Sequence, residues 1–273
     1  MGPSQAKRLQ IVTLFAIATF LALGGSIMAR GIAFLVQGNF RATGPFTKQS
    51  RSLPTFDRVE AGQIFDVDIS IGSHPSLVFE APRDLIPHLT SRVQAGTLVL
   101  SANIPYSLST SQKVKAHIVA PHLKGVSISG AGRMVVKGLI NASNFDASVS
   151  GAASLSLSAK VRTIKVEVDG AAKAWINKLT ANSLDIQTSG AANCTLNGRV
   201  DTSNIETDGA SGVRARELTT TRARIQSSGS SYADIRVVSE LNAEASGASS
   251  IRYYGNPKTR NDTSGSAHIV QGG

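Results

Sequence analysis

The chain has 273 residues, of which 41% are hydrophobic, only 5% are aromatic, and 25 are glycine. A core can therefore form, but from Val, Ile, Leu and Ala rather than from large rings. Its single cysteine, Cys194, excludes an intramolecular disulfide. The net charge of +10 does not indicate a nucleic-acid partner, because residues 1–56 contain six bases and no acid and so supply +6 of it.

An apolar segment near the N-terminus predicts export. Residues 11–29 carry no charge and follow Lys7 and Arg8, a pattern typical of a secretory signal or an uncleaved signal anchor. At 1.5 Å per residue this run just spans a hydrocarbon core of about 30 Å. We therefore predict that residues 1–36 form a membrane helix that anchors the chain, or a signal peptide that is cleaved after Ala33.

The remainder of the chain is predicted to lie outside the cytoplasm, because the basic residues precede the apolar run. This places the C-terminal domain in the periplasm or outside a bacterial cell, or makes the protein secreted if the signal is cleaved. Residues 37–55 are polar and rich in Gly, Pro, Ser and Thr, which predicts a linker. Residues 56–125 alternate like strands but are interrupted by prolines, so we predict an irregular β cap or subdomain.

Residues 126–273 contain a repeat marked by glycine. The glycines are separated by 18 to 21 positions: Gly130, Gly151, Gly170, Gly190, Gly209, Gly229, Gly247 and Gly265. The residues two and four positions before the first seven glycines are apolar or small, the residue between them is mostly polar, and those four and six positions after the glycines are almost all apolar. Alternation at period two predicts strands with one buried face on both sides of a glycine corner.

The uniformity of these columns favours a parallel β-solenoid over a meander, because equivalent positions stack directly only in a solenoid. Each coil of about 20 residues is predicted to run strand, glycine corner, strand and polar turn. Ala or Ser follows every corner glycine, as at Ala171 and Ala191, and we predict that this small residue keeps the stacked corners tight. The spacing between coils would be about 4.8 Å.

The sequence resembles the GIN domain family, the head domain of putative auto-transporter adhesins, over about residues 54–270. The resemblance is carried by FDRVEAGQIFDVDIS (56–70), VQAGTLVLSAN (93–103), VAPHLKGVSISGAG (119–132), SGASSIRYYGNPKTRNDTSGSA (246–267) and the recurring SGA. It implies an all-β, right-handed solenoid-like fold in bacterial envelope proteins. It supplies no catalytic residues to carry over.

No catalytic, cofactor-binding or metal site is predicted. Asp169 and Asp208 occupy the corner position two coils apart, about 9.6 Å at the strand spacing, which is too far for a carboxylate pair. We interpret them as turn residues. An outward column of alternating acid and amide residues avoids like charges in adjacent coils: Glu167, Gln187, Glu206, Gln226 and Glu244.

Two further groups of residues are assigned mainly structural roles. Cys194 falls in an apolar column and should be a buried, inert thiol. The histidines, His74, His88, His117, His122 and His268, are scattered and suggest no Ser–His–Asp triad. A glycan-binding face would need aromatic residues, for which the candidates are Trp175, Tyr232, Tyr253 and Tyr254, in several different columns.

The sequence therefore predicts a non-enzymatic envelope solenoid that serves as an interaction or adhesion scaffold. Its partners would be the membrane, through residues 11–29, and an envelope protein or polysaccharide, but no nucleic acid. Two alternatives remain open at this point. One is a glycan-binding or glycan-active envelope protein, and the other is the head of an envelope sensor or signalling protein. The oligomeric state is not predicted.

Overall fold

The computed structural model describes residues 44–62, 64–103 and 114–273. In this part of the chain there is no α-helix, and the only helical element is a single 3₁₀ turn, Ile86–His88. The strands are β1 (Phe46–Arg51), β2 (Arg58–Ala61), β3 (Phe65–Ile71), β4 (Ser76–Pro82), β5 (Leu89–Gln94), β6 (Thr97–Ala102), β7 (Val114–Ala120), β8 (Gly125–Ile128), β9 (Arg133–Val149), β10 (Ser154–Val168), β11 (Lys173–Thr188), β12 (Asn193–Thr207), β13 (Gly212–Ser227), β14 (Tyr232–Ala245), β15 (Ser250–Tyr254), β16 (Lys258–Thr263) and β17 (His268–Gln271). The predicted all-β class is confirmed.

The repeats form the predicted parallel β-solenoid. Strands β9 to β14 are long, and each pairs in parallel with the next. In β11, for example, Ala174 pairs with Leu155 of the preceding coil and Cys194 of the following one. The columns two and four positions before the first seven corner glycines are buried, as are most residues four and six positions after the glycines. The buried columns are those that the alternation of the sequence predicted.

The parallel ladders extend upstream of residue 126. Strand β2 pairs in parallel with β8 and β6, and β3 with β9 and β7. The coil made by β2 and β3 therefore lies between the coil of β6 and β7 and the coil of β8 and β9. The strands β6 and β7 are thus further from the repeats than β2 and β3, although they come later in the sequence. Beyond the coil of β6 and β7 the strands turn antiparallel: β5 pairs with β6, β4 with β7, and β1 with β4.

One of these antiparallel strands lies inside the predicted linker, residues 37–55. β1 is ordered by backbone hydrogen bonds to the edge of β4, from Phe46 opposite Pro82 to Arg51 opposite Leu77. Its side chains are exposed or only half-buried. Because no apolar face is buried, alternation could not reveal this strand.

The glycine corners are confirmed and have a steric cause. All eight corner glycines adopt left-handed φ values between 72° and 81°, a region that glycine enters without a steric penalty. A Cβ added to Gly170 would lie 2.8 Å from the carbonyl oxygen of Gly151 below it. The amide of Ala171 donates a 2.7 Å hydrogen bond to that same oxygen. Stacked corners thus leave no room for a side chain on the glycine.

The role predicted for the residue directly after each glycine is wrong. Ala171, Ala191 and their equivalents are exposed. The residue that packs inside the corner is the next one, such as Ala172 or Ala192, each with no exposed surface. The reason is the corner geometry: the first residue after the glycine completes the turn on the outside, and the chain re-enters the sheet one residue later.

The predicted polar turn at the other end of each coil is also replaced by a different structure. The strands run continuously through AKVRT and NGRVD, and the change of direction is made by register shifts within them. A β-bulge bends a strand without ending its ladder. Left-handed residues mark two of these bends, Lys178 at φ 52° and Gly198 at φ 132°.

The interior changes from aliphatic to hydroxylated along the solenoid. Early coils fill the space beside the glycine corner with Val149, Ala153 and Val168. Later coils bury Thr188, Ser211, Thr207, Ser227 and Ser231 at the equivalent positions. These hydroxyls bond each other: Thr207 lies 2.8 Å from Ser227 and 3.0 Å from Ser231. The polar atoms are therefore satisfied within the core.

Over the three described stretches, no helix has the length and apolar character needed to cross a bilayer. The predicted membrane helix, residues 11–29, lies outside those stretches, as does the whole of the predicted signal segment 1–36.

Candidate functional site

One face of the solenoid is formed by residues that precede the glycine corners, and it carries the outward column of acid and amide residues predicted from the sequence. At the third and fifth positions before the corner glycines, this face carries six acids and three bases. They are Asp146, Glu167, Asp185, Glu206, Glu244, Asp262, Lys165, Arg224 and Arg260. We call this surface the acidic face.

Two ion pairs form within the acidic face. Lys165 lies 2.6 Å from Glu167, and Arg224 lies 3.1 Å from Glu244, which also accepts a hydrogen bond from Gln226 at 2.9 Å. Pairs of this kind on an exposed surface contribute little free energy. The hydrogen bond from Gln226 to Glu244 joins an amide and an acid of adjacent coils in the outward column.

A groove of about 460 Å³ lies beside the acidic face in the last coils. Arg222, Arg224, Lys258 and Arg260 border it, together with the buried Ser203. The Oγ atom of Ser203 has no hydrogen-bond partner. The groove is thus basic at its rim, although Glu240 also contributes to it.

Asp169 and Asp208 have the structural role expected of them. Each accepts a hydrogen bond from the serine of the next coil, Asp169 from Ser189 and Asp208 from Ser228 at 2.6 Å. The Ser228 hydroxyl, and then the amide of Gly209, hold the pKa of Asp208 below its ordinary value. The two carboxylates are therefore hydrogen-bonded within the stack of corners.

The single cysteine and the histidine that contacts acids lie in different coils, Cys194 in β12 and His117 in β7. Cys194 is fully buried, as predicted, and burial raises the pKa of its thiol to about 12. His117 lies 3.8 Å from Asp68 and 3.6 Å from Glu80 on an exposed surface. Within the described stretches no group of three His, Cys, Asp or Glu residues is arranged to hold a metal ion.

The face after the glycine corners has the opposite charge. We define the basic face as the third, fifth and seventh residues after Gly170, Gly190, Gly209, Gly229 and Gly247. Five of these residues are basic and exposed: Lys173, Arg214, Arg216, Arg236 and Arg252. Asp234 is the one acid at these positions, and its Oδ1 accepts a 2.8 Å hydrogen bond from the amide of Ala215.

One aromatic residue of the basic face lines a groove, and a second contacts two of the residues that line it. Trp175 is 40% exposed and lines a groove of about 290 Å³ with Lys173, Asn193, Thr195 and Arg214. Tyr232 belongs to a coil three further along, but its hydroxyl donates a 2.9 Å hydrogen bond to Oδ1 of Asn193. The sequence placed these aromatic residues in different columns and could not show that Tyr232 reaches back.

The Tyr232 ring can fold back towards Asn193 because Gly212, which lies between them, has no side chain. Its ring lies over Gly212, where an added Cβ would overlap the ring atoms Cε1 and Cζ. The guanidinium of Arg214 lies 4.8 Å from the centre of the same ring and donates a 2.9 Å hydrogen bond to Asn193. Asn193 therefore fixes both Tyr232 and Arg214. We call Lys173, Trp175, Asn193, Arg214 and Tyr232 the aromatic–basic platform.

The other two aromatic candidates, Tyr253 and Tyr254, are less exposed than Trp175. Tyr253 is half-buried and packs against the core. Tyr254 is buried, with the guanidinium of Arg216 at 4.6 Å and that of Arg236 at 5.9 Å from its ring centre. Their contribution to the basic face is to position arginines by cation–π contact.

The chain matches the model of one family in two overlapping stretches, residues 55–177 and 162–257. That family is described as putative auto-transporter adhesin, head GIN domain. Since the matched stretches cover most of the chain, this protein belongs to the family, which confirms the resemblance carried by its motifs. No curated protein matches the sequence.

Several solved structures share this fold. A putative adhesin from Parabacteroides merdae ATCC 43184 is 16% identical, with a TM-score of 0.82 over 86% of this chain and 99% of that one. A putative lipid binding protein from Parabacteroides distasonis ATCC 8503 is also 16% identical, with a TM-score of 0.82 over 86% of this chain and all of that one. A putative adhesin from Bacteroides fragilis NCTC 9343 is 19% identical, with a TM-score of 0.63 over 85% and 98%. At these identities the likeness establishes the fold.

Proposed function

We propose that this protein is a non-enzymatic binding scaffold of the bacterial cell envelope, held at the membrane through residues 11–29. The observation that carries the binding role is the basic face, where Trp175 is exposed to solvent and five bases accompany a single acid, Asp234. An exposed indole beside Lys173 and Arg214 is typical of a contact surface, since Trp and Arg are enriched where proteins meet their partners.

The arrangement of the remaining polar groups supports a scaffold over an enzyme. A glycan-cleaving site needs two carboxyl groups facing one bond, about 5 to 9.5 Å apart. On the acidic face, by contrast, Glu167 and Glu244 are engaged in ion pairs with their own neighbours. Membership in a family of adhesin heads and the likeness to adhesin structures point in the same direction.

The proposal is tested with the full chain, purified in a mild detergent and applied to a glycan array and to envelope fractions. We expect reproducible binding, with no shortening of any bound polysaccharide when the products are separated by size. Reproducible cleavage would overturn the non-enzymatic role. Absence of binding to every glycan and every envelope fraction would overturn the scaffold role.

The envelope location is tested separately. N-terminal sequencing of the protein from a membrane fraction should recover the residues before Ala33 if the segment is an uncleaved anchor. A mature N-terminus at Arg30–Gln37 in the soluble periplasmic or secreted fraction would show that the segment is a cleaved signal. Recovery of the intact chain from the cytosol alone would overturn the envelope location.

A further inference from the structure

We infer that the aromatic–basic platform binds an acidic carbohydrate, with the indole of Trp175 stacked on a sugar ring and Lys173 and Arg214 bound to its carboxylate or sulfate. This inference rests on the proposed function, because it names the ligand class of the same surface. It is carried by three features of the platform: the exposed ring, the fixed guanidinium and the charge of the face.

The exposed ring selects for a ligand with an apolar surface. Trp175 is 40% exposed near the start of β11, while the residues on either side of it, Ala174 and Ile176, are buried. A sugar ring presents C–H groups on its faces and hydroxyls at its edge, so it can cover an indole while its polar groups stay hydrated. The groove of about 290 Å³ beside Trp175 has room for such a ring.

The guanidinium of Arg214 is held in place before any ligand binds. One N–H group is engaged by Oδ1 of Asn193 at 2.9 Å, and the Tyr232 ring lies against the guanidinium. A guanidinium has five N–H donors, and the bond to Asn193 uses one of them. A positioned Arg side chain matches the planar carboxylate of a uronic acid, because both can form two parallel hydrogen bonds.

The charge of the basic face extends beyond the groove. From the coil of Lys173 to the coil of Arg252 there are four coil steps, or about 19 Å at the strand spacing. Five bases and one acid lie along this distance. A linear acidic oligosaccharide running across the coils would meet a cation at several points, whereas a single sugar would meet only the platform.

The aromatic content favours a carbohydrate over a single-stranded nucleic acid. Nucleic-acid surfaces of this kind stack successive bases on successive aromatic rings. On the basic face Trp175 is exposed, but Tyr254 is buried and the hydroxyl of Tyr232 is engaged by Asn193. The platform offers one open ring together with cations.

The inference is tested by calorimetric titration of the full chain in detergent with three probes of similar length. The probes are an alginate oligosaccharide, which carries a carboxylate on each sugar, a neutral cello-oligosaccharide and a single-stranded DNA oligonucleotide. We expect binding of the alginate probe and at least tenfold weaker binding of the neutral one. Trp175→Ala should weaken alginate binding about tenfold, and Arg214→Gln by about tenfold or more.

Two surface control variants separate the platform from general effects, and a third variant tests how the platform is held in place. Arg162→Gln removes an exposed base from another part of the coil, and Val238→Ala removes a large hydrophobic residue that is 55% exposed. Neither should change the affinity. Gly212→Ala displaces the Tyr232 ring without touching a proposed ligand contact. It should weaken alginate binding, because Arg214 then loses the ring that packs against its guanidinium. Thermal unfolding of each variant identifies any that fail to fold, in which case Lys173→Gln provides a milder change.

Each result bears on one of the two proposals. Alginate binding that is lost in Trp175→Ala and Arg214→Gln but kept in both surface controls supports the inference. Binding that is unchanged in the platform variants overturns it while leaving the scaffold role intact. Equal affinity for the neutral sugar, or for DNA with the same sensitivity to the variants, also overturns it. Absence of any ligand on arrays and in envelope fractions overturns the proposed function itself.

Discussion

The ring of Tyr232 occupies the place where a side chain at Gly212 would project. The two residues pair directly in adjacent coils, Gly212 in β13 and Tyr232 in β14. Because Gly212 leaves this place empty, the Tyr232 ring folds back over it and its hydroxyl reaches Asn193 in the coil beyond. A glycine that is not at a corner thus organises the candidate binding surface.

This relationship predicts the titration of Tyr232. Burial raises the pKa of Tyr232 above its ordinary value, although nearby Arg214 acts in the opposite direction. Gly212→Ala should expel the ring into solvent and so bring the pKa back towards that of an exposed tyrosine. NMR titration of ring-labelled tyrosine, assigned with Tyr232→Phe, measures the shift. A pKa of Tyr232 that is equal in the wild type and in Gly212→Ala would contradict the arrangement.

The corners predict a contrast between two neighbouring alanines. Ala172→Leu forces a large side chain into the packed interior of the corner and should lower the free energy of unfolding by about 1 to 3 kcal/mol or more. Ala171→Leu places the same side chain on the exposed side of that corner and should change it by only about 0.5 kcal/mol. Urea denaturation of the two variants measures the difference. Equal destabilisation would mean that the residue after the glycine is packed after all.

The sequence predicted the solenoid because period-two alternation and a recurring glycine are local signals that every coil repeats. It could not assign the inward residue of the corner, because Ala171 and Ala172 are equally small and the turn geometry decides which one points in. The position of the β6–β7 coil outside β2–β3 was also hidden, since long-range parallel pairing leaves no local pattern. Strand β1 could not be predicted because its side chains are exposed or half-buried, and its sequence therefore lacks the alternation of apolar residues that marks a strand.

The aromatic–basic platform was only partly visible in the sequence. The sequence identifies Trp175 and Tyr232 as aromatic candidates, but it places them in different columns and so gives no sign of a shared site. The signal that could have joined them is Gly212, which interrupts a column of polar residues on a strand where a side chain would be expected. A glycine at such a position often marks a close approach by another group.

Cys194 predicts a loss of stability at high pH. Burial raises the pKa of its thiol from 9.0 to about 12 in the folded state. Since the folded pKa is the higher one, the contribution of this group is fully present below pH 9, and it is lost as the pH rises from about 9 towards 12 and the unfolded thiol ionises. Unfolding free energies measured across this range should fall more steeply in the wild type than in Cys194→Ala.

The same thiol provides an independent check of burial. Because it is the single cysteine of the chain, a colourless disulfide reagent that releases a coloured thiol reports on Cys194 alone. The native protein should react very slowly at pH 8, and protein in denaturant should react at once with one equivalent. Rapid reaction of the native protein, or identical pH profiles for the wild type and Cys194→Ala, would contradict its place in the core.

The buried hydroxyls of Thr207, Ser227 and Ser231, which we call the hydroxyl cluster, predict mutations whose effects on stability do not add. Ser231 lies within hydrogen-bonding distance of the hydroxyls of Thr207 and Ser227. Its single O–H faces two backbone acceptors, the carbonyl oxygen of Ser228 at 2.7 Å and that of Thr207 at 3.2 Å. Ser231→Ala leaves two buried hydroxyls with fewer partners and should lower the free energy of unfolding by about 1 to 3 kcal/mol. In the earlier coils Val168 and Ala153 fill equivalent positions without any hydroxyl.

Replacing the whole cluster should therefore be less harmful than its parts suggest. The triple variant Thr207→Val, Ser227→Ala, Ser231→Ala removes the polar atoms together and converts this stretch to the aliphatic packing of the early coils. We expect its loss of unfolding free energy to be smaller than the sum of the three single changes, because paired deletions leave no unsatisfied hydroxyl. Urea denaturation of the three single variants and the triple variant measures the coupling. Strictly additive losses would show that the hydroxyls act independently and that their contacts do not form a network.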